Sequence, residues 1–411
     1  MAFNLLLCVV YLGGKGMFNF TFYAMKLVAK LLVVVLCFQL TVPLFAKRPT
    51  PPAITPNSSG TPVIQIALLL DTSNSMDGLI NQAKTQLWNI VKDLTTTRHN
   101  GQVPKIEIAL YQYGNDGLSI SNGYIQQVSP FTQDLDKISD ALFKLKTNGG
   151  SEYSPQAIVH ACNNLAWKQG EGNLRFLFIA GNEPFAQGSV TPQQACSAAK
   201  EKHVMVTTIH CGDEAQGKRD GWSNLPECTD GRALCINTDA KQQYIATPYD
   251  STILHLNGKL NKTYYGYGAV GAAGMANQTR QDANSMSVAS ANAVERAVAK
   301  STVAYKSADW DVVDAVKENK LDLAKAKKED LPKELQNLTP EQRKKKVEEL
   351  AQQRSAIQKE ITDNEGKRQK YIAEQENKNT ANSKDKNKTL QAKMTSAVRE
   401  MANSKGFTIT K

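Results

Sequence analysis

The chain has 411 residues, 41% of them hydrophobic, and a formal net charge of +10. That length allows two or three ordinary domains, and the apolar fraction is ample for one sizeable core. The charge does not mark a nucleic-acid binder: much of the excess is lysine near the C-terminus, as in Lys344-Lys345-Lys346 and Lys384-Asp385-Lys386, interleaved with Glu and Gln and lacking a stacking platform or recognition motif. Such mixed runs read as solvated helical faces, with attraction to an anionic membrane surface or cell-envelope polymer as the other reading.

Met25 opens a short basic segment, Met-Lys-Leu-Val-Ala-Lys, followed by an apolar run from Leu31 to Leu40 and a small residue, Ala46. This pattern predicts a secretory signal peptide over residues 1–46, with Met25 as the true start. The protein is therefore expected to be secreted or periplasmic; the alternative is a membrane anchor formed by the same segment left uncleaved. Residues 47–62 are a Pro- and Ser-rich linker with no packing capacity. Beyond the leader stand Cys162, Cys196, Cys211, Cys228 and Cys235, without the spacing of a zinc site or a redox motif. In an oxidising compartment they should mostly pair. Their positions on the predicted elements suggest Cys196 with Cys211 and Cys228 with Cys235, leaving Cys162 as a buried thiol; exchange of partners between Cys211 and Cys228 is the rival.

From Val63 strands and helices alternate. Apolar strands are predicted at Val63–Leu70, Lys105–Tyr113, Leu174–Ala180 and Val204–Ile209, with shorter ones at Tyr124–Val128 and Ala233–Ile236. Amphipathic helices fall at Met76–Leu94, Leu135–Leu145, Pro155–Trp167, Thr191–Lys202 and Ser251–Leu260. This alternation predicts an α/β fold with a doubly wound, mainly parallel sheet. Residues 264–285, rich in Gly, Ala, Asn and Gln, read as an irregular extension, and helix resumes from Met286 to Lys317. From Leu331 to Glu376 the apolar spacing is close to 3.5 but interrupted, which predicts a helical hairpin or short coiled coil. A polar break at Asn377–Lys388 precedes a last helix at Leu390–Met401, and the charged tail is expected to be separable from the α/β part.

The first strand runs directly into Asp71-Thr72-Ser73-Asn74-Ser75 and a helix. This places one carboxylate and two hydroxyls at the carboxyl end of a parallel sheet, where open α/β folds bind ligands. Hard oxygen donors of this kind suit Mg2+ or Mn2+ with waters retained, leaving a coordination position for an acidic group of a partner. The simpler alternative is that Asp71, Ser73 and Ser75 only cap the helix.

On this motif the chain resembles the von Willebrand factor type A (VWA) family and its metal-ion-dependent adhesion site. The resemblance places a VWA-like domain at residues 63–262, an extension at 263–330 and a helical tail at 331–411. The family's second motif brings a Thr from a loop after a Gly pair; here Gly149-Gly150-Ser151-Glu152 keeps a hydroxyl at Ser151 and adds a carboxylate at Glu152, or is only a tight turn. The third motif's Asp is replaced by Gly181, so the site is partly degenerate, with Asn182 and Glu183 left to compensate through water. The resemblance implies a metal site of Asp71, Ser73, Ser75, Ser151 and Glu152, taking Mg2+ or Mn2+ and a protein ligand with an acidic group. Asn261-Lys-Thr-Tyr264, Gln281-Asp-Ala-Asn284, Trp310-Asp311, Leu331-Pro-Lys-Glu-Leu335 and Thr339-Pro-Glu-Gln-Arg343 resemble bacterial secreted VWA proteins with a long helical tail.

Enzyme signatures are lacking. The 5 histidines fall in no His-Glu-x-x-His motif and beside no Gly-x-Ser-x-Gly elbow, and Gly271-Ala-Ala-Gly274 lacks the Lys of a phosphate loop. A phosphatase that starts with a strand and an Asp needs a second Asp where Ser73 stands. The expectation is a binding module, not an enzyme, that takes no nucleic acid. A structural envelope protein with a metal-free VWA domain and an interacting tail is the alternative.

Overall fold

The computed structural model describes residues 60–170, 172–236, 244–380 and 390–409. The leader, most of the linker and residues 381–388 of the expected polar break lie outside the described residues, while Asn377–Thr380 of that break are helical. Every residue of β1 (Val63–Asp71) is buried, because apolar side chains point to both faces of the strand and each face is covered by helices. After it come α1 (Asp77–Thr95), the short β2 (Thr97–Arg98), β3 (Lys105–Tyr113), β4 (Ile125–Thr132), α2 (Leu135–Lys144) and α3 (Ser154–Asn164). Next are β5 (Asn173–Gly181), α4 (Pro192–Glu201), β6 (Met205–Cys211), α5 (Glu214–Arg219), α6 (Asn224–Cys228), β7 (Ala233–Ile236) and α7 (Asp250–Asn261).

The six-stranded sheet has the order β4-β3-β1-β5-β6-β7, and its pairs are parallel except for the antiparallel edge strand β4. The chain thus winds outward in both directions from β1, so the carboxyl end of β1 lies at the point where the strand order reverses. One face of β1 carries Ile64, Ile66 and Leu68 against Leu87, Trp88 and Val91 of α1. The other carries Ala67 and Leu69 against Ala157, Ile158 and Ala161 of α3.

The C-terminal half continues with α8 (Gly271–Val288), α9 (Ser290–Lys300), α10 (Val312–Lys317), α11 (Lys333–Gln336), α12 (Pro340–Thr380), α13 (Leu390–Ser404) and β8 (Thr408–Ile409), which pairs back onto β2. Three expectations are corrected here. Residues 271–285 are helical, not irregular: the buried side of α8 is Gln278, Gln281 and Ser285, so apolar periodicity could not reveal it. Gly274 is required there, since a Cβ would stand 2.3 Å from the Trp310 ring. In place of a hairpin, α12 is one helix of 41 residues. Nor is the tail a loose appendage: α12 buries Arg354 and Arg368, α13 buries Met394, Val398 and Met401, and the described chain from Gly60 onward packs as one unit.

Three arginines fasten this half. Arg296 of α9 bonds Asp136 of α2 at 2.5 Å and Asp282 of α8 at 2.6 Å, beneath the Trp88 ring. Arg354 of α12 donates to both oxygens of Asp311, at 2.7 and 3.1 Å, and lies over the Tyr264 ring at 3.9 Å. Arg368 of α12 joins Asp250 of α7 and Glu295 of α9, where Lys92 of α1 also bonds Glu295.

The one disulfide among the described residues links Cys196 of α4 to Cys228 of α6, which is one bond of the rival pairing and corrects the bonds Cys196–Cys211 and Cys228–Cys235; the rival's other bond, Cys211–Cys235, is not formed. The reason is facing: Cys196 and Cys228 pack on the α3/α4 side of the sheet, whereas Cys211 packs into the core on the opposite side. Cys162 and Cys211 are buried thiols, and Cys235 is a half-buried one. Among the described residues no helix is long and apolar enough to cross a membrane.

Candidate functional site

Asp71 is the last residue of β1 and is completely buried. Its Oδ1 accepts from the Ser73 backbone N–H at 2.8 Å, which holds the loop in a tight turn. Its Oδ2 is buried with no hydrogen-bond partner. An orphaned carboxylate oxygen in a closed position costs free energy unless something positive meets it. Burial pushes the Asp71 carboxyl up to about 7; the Ser73 N–H and hydroxyl pull it back, and the charges of Glu152 and Glu183 add to the rise.

The two serine hydroxyls lie side by side. Ser73 Oγ lies 3.3 Å from Ser75 Oγ, and the Asn182 amide donates to Ser75 Oγ at 3.0 Å. The cap that the sequence allowed at Ser73 is not formed: Ser73 occupies the N-cap position of the short turn at Asn74–Met76, but its side chain makes no capping bond. That removes the simpler reading of Ser73.

Glu152 arrives from the loop after α2, and Gly114 is what lets it approach. A Cβ at Gly114 would stand 2.8 Å from both Asp71 Oδ1 and Glu152 Cγ, and its φ of +73° favours glycine as well. Gly150 packs its backbone against that of Gly114, where a Cβ would come within 2.6 Å of the carbonyl oxygen. Gly150 therefore serves close approach and not merely a turn, whereas a Cβ at Gly149 would come no nearer than 3.4 Å to a neighbour. Burial raises the Glu152 carboxyl, and Glu183 pushes the same way, while Gln187 and Ser73 hydrogen bonds oppose both. Ser151 is half-buried on this loop and makes no hydrogen bond to Asp71, Ser73 or Ser75 among the described residues.

Gly181 ends β5 beside Asp71. A Cβ there would stand 2.7 Å from the Tyr113 hydroxyl, 3.0 Å from the Trp222 ring and 3.2 Å from Asp71 Oδ2. The volume in which the resemblance looks for an Asp is thus already filled. Tyr113 donates to the Ala180 carbonyl at 2.9 Å, and Trp222 donates to the Glu183 carbonyl at 2.8 Å. Sequence reasoning missed Tyr113 and Trp222; a glycine at the third motif was the one available signal that a bulky neighbour had taken its place.

The oxygen donors available to a cation are Asp71, Ser73 and Ser75, with Glu152 beside them and Asn182 behind Ser75. Among the described residues no group of three or more His, Cys, Asp or Glu side chains is placed to hold a metal ion, so any cation here leans on hydroxyls and water.

Residues 65–234 match the family model of the von Willebrand factor type A domain. The collagen alpha-2(VI) chain of Gallus gallus is 29% identical over 160 residues, which cover 37% of this chain and 15% of that relative's length. Two solved structures are similar: the proximal thread matrix protein 1 of the mussel byssus with a zinc-occupied MIDAS motif, at 13% identity and a TM-score of 0.32, covering 44% of this chain and 43% of that one; and an aerotolerance-related membrane protein from Bacteroides fragilis, at 13% identity and a TM-score of 0.31, covering 42% of this chain and 92% of that one.

Proposed function

We propose that this chain, a von Willebrand factor type A domain protein and hence a protein-interaction module, works outside the cytoplasm as a binding protein without enzymatic activity, and holds its protein ligand through a divalent cation. The observation that carries this reading is the Asp71 Oδ2, fully buried at the carboxyl end of the central strand and unpartnered. Asp71, Ser73 and Ser75 would hold Mg2+ or Mn2+, with Glu152 beside them from the neighbouring loop that also carries Ser151. The bound cation supplies a positive charge that an acidic side chain of the ligand can meet. The residues of the chain itself orient the carboxylate through the Ser73 N–H and exclude water from its inner oxygen. The Cys196–Cys228 disulfide supports an oxidising, extracytoplasmic location, secreted or periplasmic, in agreement with the leader read from the sequence.

The alternative reading, a structural envelope protein whose VWA domain takes no metal, draws on Gly181 and the packing of Tyr113 and Trp222 against it. Thermal melting separates the two. A cation at a hundredfold excess over its dissociation constant stabilises by about 2.7 kcal/mol. The melting temperature of the purified protein should rise with millimolar Mg2+ or Mn2+, and Asp71→Ala should remove the rise. A wild-type protein whose melting is indifferent to both ions takes the alternative reading.

A further inference from the structure

The edge of the sheet beside the Asp71–Ser75 loop is concave. A groove of about 520 Å³ runs between the carboxyl end of α2, the loop that follows it and the turn at residues 115–118. Its floor is apolar, formed by Leu118, Val128, Ala141 and Leu145. Lys137, Lys144 and Lys146 stand on its rim.

This groove is built onto the candidate site. The Asn115 amide donates to the carbonyls of both Thr72 and Lys146, at 3.4 and 2.9 Å. The Asn148 N–H donates to the same Thr72 carbonyl at 2.9 Å. The groove wall and the Asp71–Ser75 loop therefore share hydrogen bonds through one residue, and a ligand in one place extends naturally into the other.

The charges inside the groove do not cancel. Its single acidic lining residue, Asp140, is already met by Lys144 at 2.6 Å and by Arg280 at 3.2 Å. Lys137 lies 3.5 Å from Asp134, with 64% of its side chain exposed. Lys146 is exposed and has no acidic partner among the described residues. The groove is thus net positive, next to a candidate site whose own carboxylates are Asp71 and Glu152.

We propose that the groove docks an acidic, amphipathic segment of the protein ligand, its carboxylates on Lys137, Lys144 and Lys146 and an apolar side chain on the Leu118–Leu145 floor. The proposal rests on the cation-site reading for the ligand's anchoring carboxylate, and adds the chemistry of the segment beside it. The apolar floor favours a peptide over a purely charged polymer, because burial of apolar surface rewards only a ligand that has some to bury. Rim charges of this kind set encounter rate and salt dependence more than final strength.

The test uses the full chain and a fluorescein-labelled peptide, Glu-Glu-Leu-Glu-Glu-Leu, read by fluorescence anisotropy with and without Mn2+. Lys137→Glu/Lys144→Glu/Lys146→Glu should weaken binding about tenfold or more, since three rim charges each contribute a fraction of the free energy that a factor of ten requires. The corresponding Gln triple variant should fall between it and wild type, and carries the test if the Glu variant does not fold. Both should keep the wild-type response of melting temperature to Mn2+. Equal binding by wild type and both variants overturns the groove. So does undiminished binding of a peptide with Gln in place of Glu, while a heparin fragment that binds tighter than the peptide through the same lysines overturns the assignment to a protein segment. Lysine-dependent peptide binding in a protein whose melting ignores Mn2+ keeps the groove and removes the cation site.

Discussion

The sheet half and the helical half of the molecule are closed by different chemistry. Around β1 and β5 the interior is Ile, Leu, Phe and Ala, and each fully buried Ile, Leu or Phe side chain stabilises by about 1.5–3 kcal/mol. In α9, buried positions include Asn292, Glu295, Arg296 and Lys300, and the helix is held by bonds to Asp136, Asp282 and Arg368. Apolar packing is tolerant of small shifts; a buried guanidinium between two carboxylates is not, because any displacement leaves a charge unmet. The contrast teaches that the helical half is specified more by which charge meets which than by how much surface is buried. The extension and tail accordingly belong to one packed body with the domain, despite a composition that reads as solvent-facing.

The sharpest way to break that comparison is to remove one staple. Arg354→Ala should lose about 3–5 kcal/mol of stability in urea unfolding, because it strands the buried Asp311 carboxylate and the Thr263 carbonyl that the guanidinium also serves. The loss should also loosen α12, so limited proteolysis should cut the variant within α12 under conditions that leave wild type intact. A small loss with unchanged resistance would mean that apolar contacts, not charge, hold the tail.

A smaller effect tests the sheet half. Gly181→Asp restores the family pattern on paper, yet its Cβ would meet the Tyr113 hydroxyl at 2.7 Å. The substitution is expected to lower stability by roughly 1–3 kcal/mol, as overpacking does, without strengthening the Mn2+ response in thermal melting. A stronger Mn2+ response would show that Tyr113 and Trp222 yield easily.

What the sequence disclosed follows the same division. The strands and the Asp71–Ser75 loop were legible because apolar runs and a strand-to-helix motif are local signals. The α8 helix was not, since Gln278, Gln281 and Ser285 form its buried face. Arg354 and Arg368 looked like members of a solvated charge pattern: nothing in the spacing of residues 331–376 distinguishes a buried arginine from an exposed one until Asp311, Asp250 and Glu295 are placed beside them. At the site, Asp71, Ser73 and Ser75 were legible, whereas Tyr113 and Trp222 were not, because their meeting at Gly181 is made by strands and loops far apart in the chain. The cysteine pairing failed for a related reason: separation along the chain does not say which face of the sheet Cys211 takes.

Lys300 offers a pH test of the buried-charge half. Its side chain has no exposed surface, and burial pulls its ammonium down to about 8 from 10.5, with Asp282 opposing the shift. The unfolded chain therefore holds this proton more tightly than the folded one between pH 8 and 10.5. The penalty of burying the ammonium is in full force below pH 8 and is relieved as pH rises. Relative to Lys300→Met, wild type should gain stability across that window, at up to about 1.4 kcal/mol per pH unit. A pH-independent difference between the two proteins would show that Lys300 stays charged throughout.

The smallest effect is expected on the same helix that carries two of the staples, which makes it the fairest control. Lys359 of α12 bonds Asp363 at 2.7 Å, a shorter contact than several in the buried networks, but the two side chains are 76% and 55% exposed. Water already solvates both charges, the pair must give up side-chain freedom to form, and salt screens what remains. Lys359→Gln should therefore leave the urea midpoint unchanged within error, at low and high salt alike, while Arg354→Ala five residues earlier moves it far. Distance between the charged atoms would predict the opposite order; desolvation and the number of groups left unmet predict this one. A Lys359→Gln loss approaching that of Arg354→Ala would mean that the helix is stabilised along its whole length by its own ion pairs, and the distinction between buried and exposed charge in this half would have to be given up.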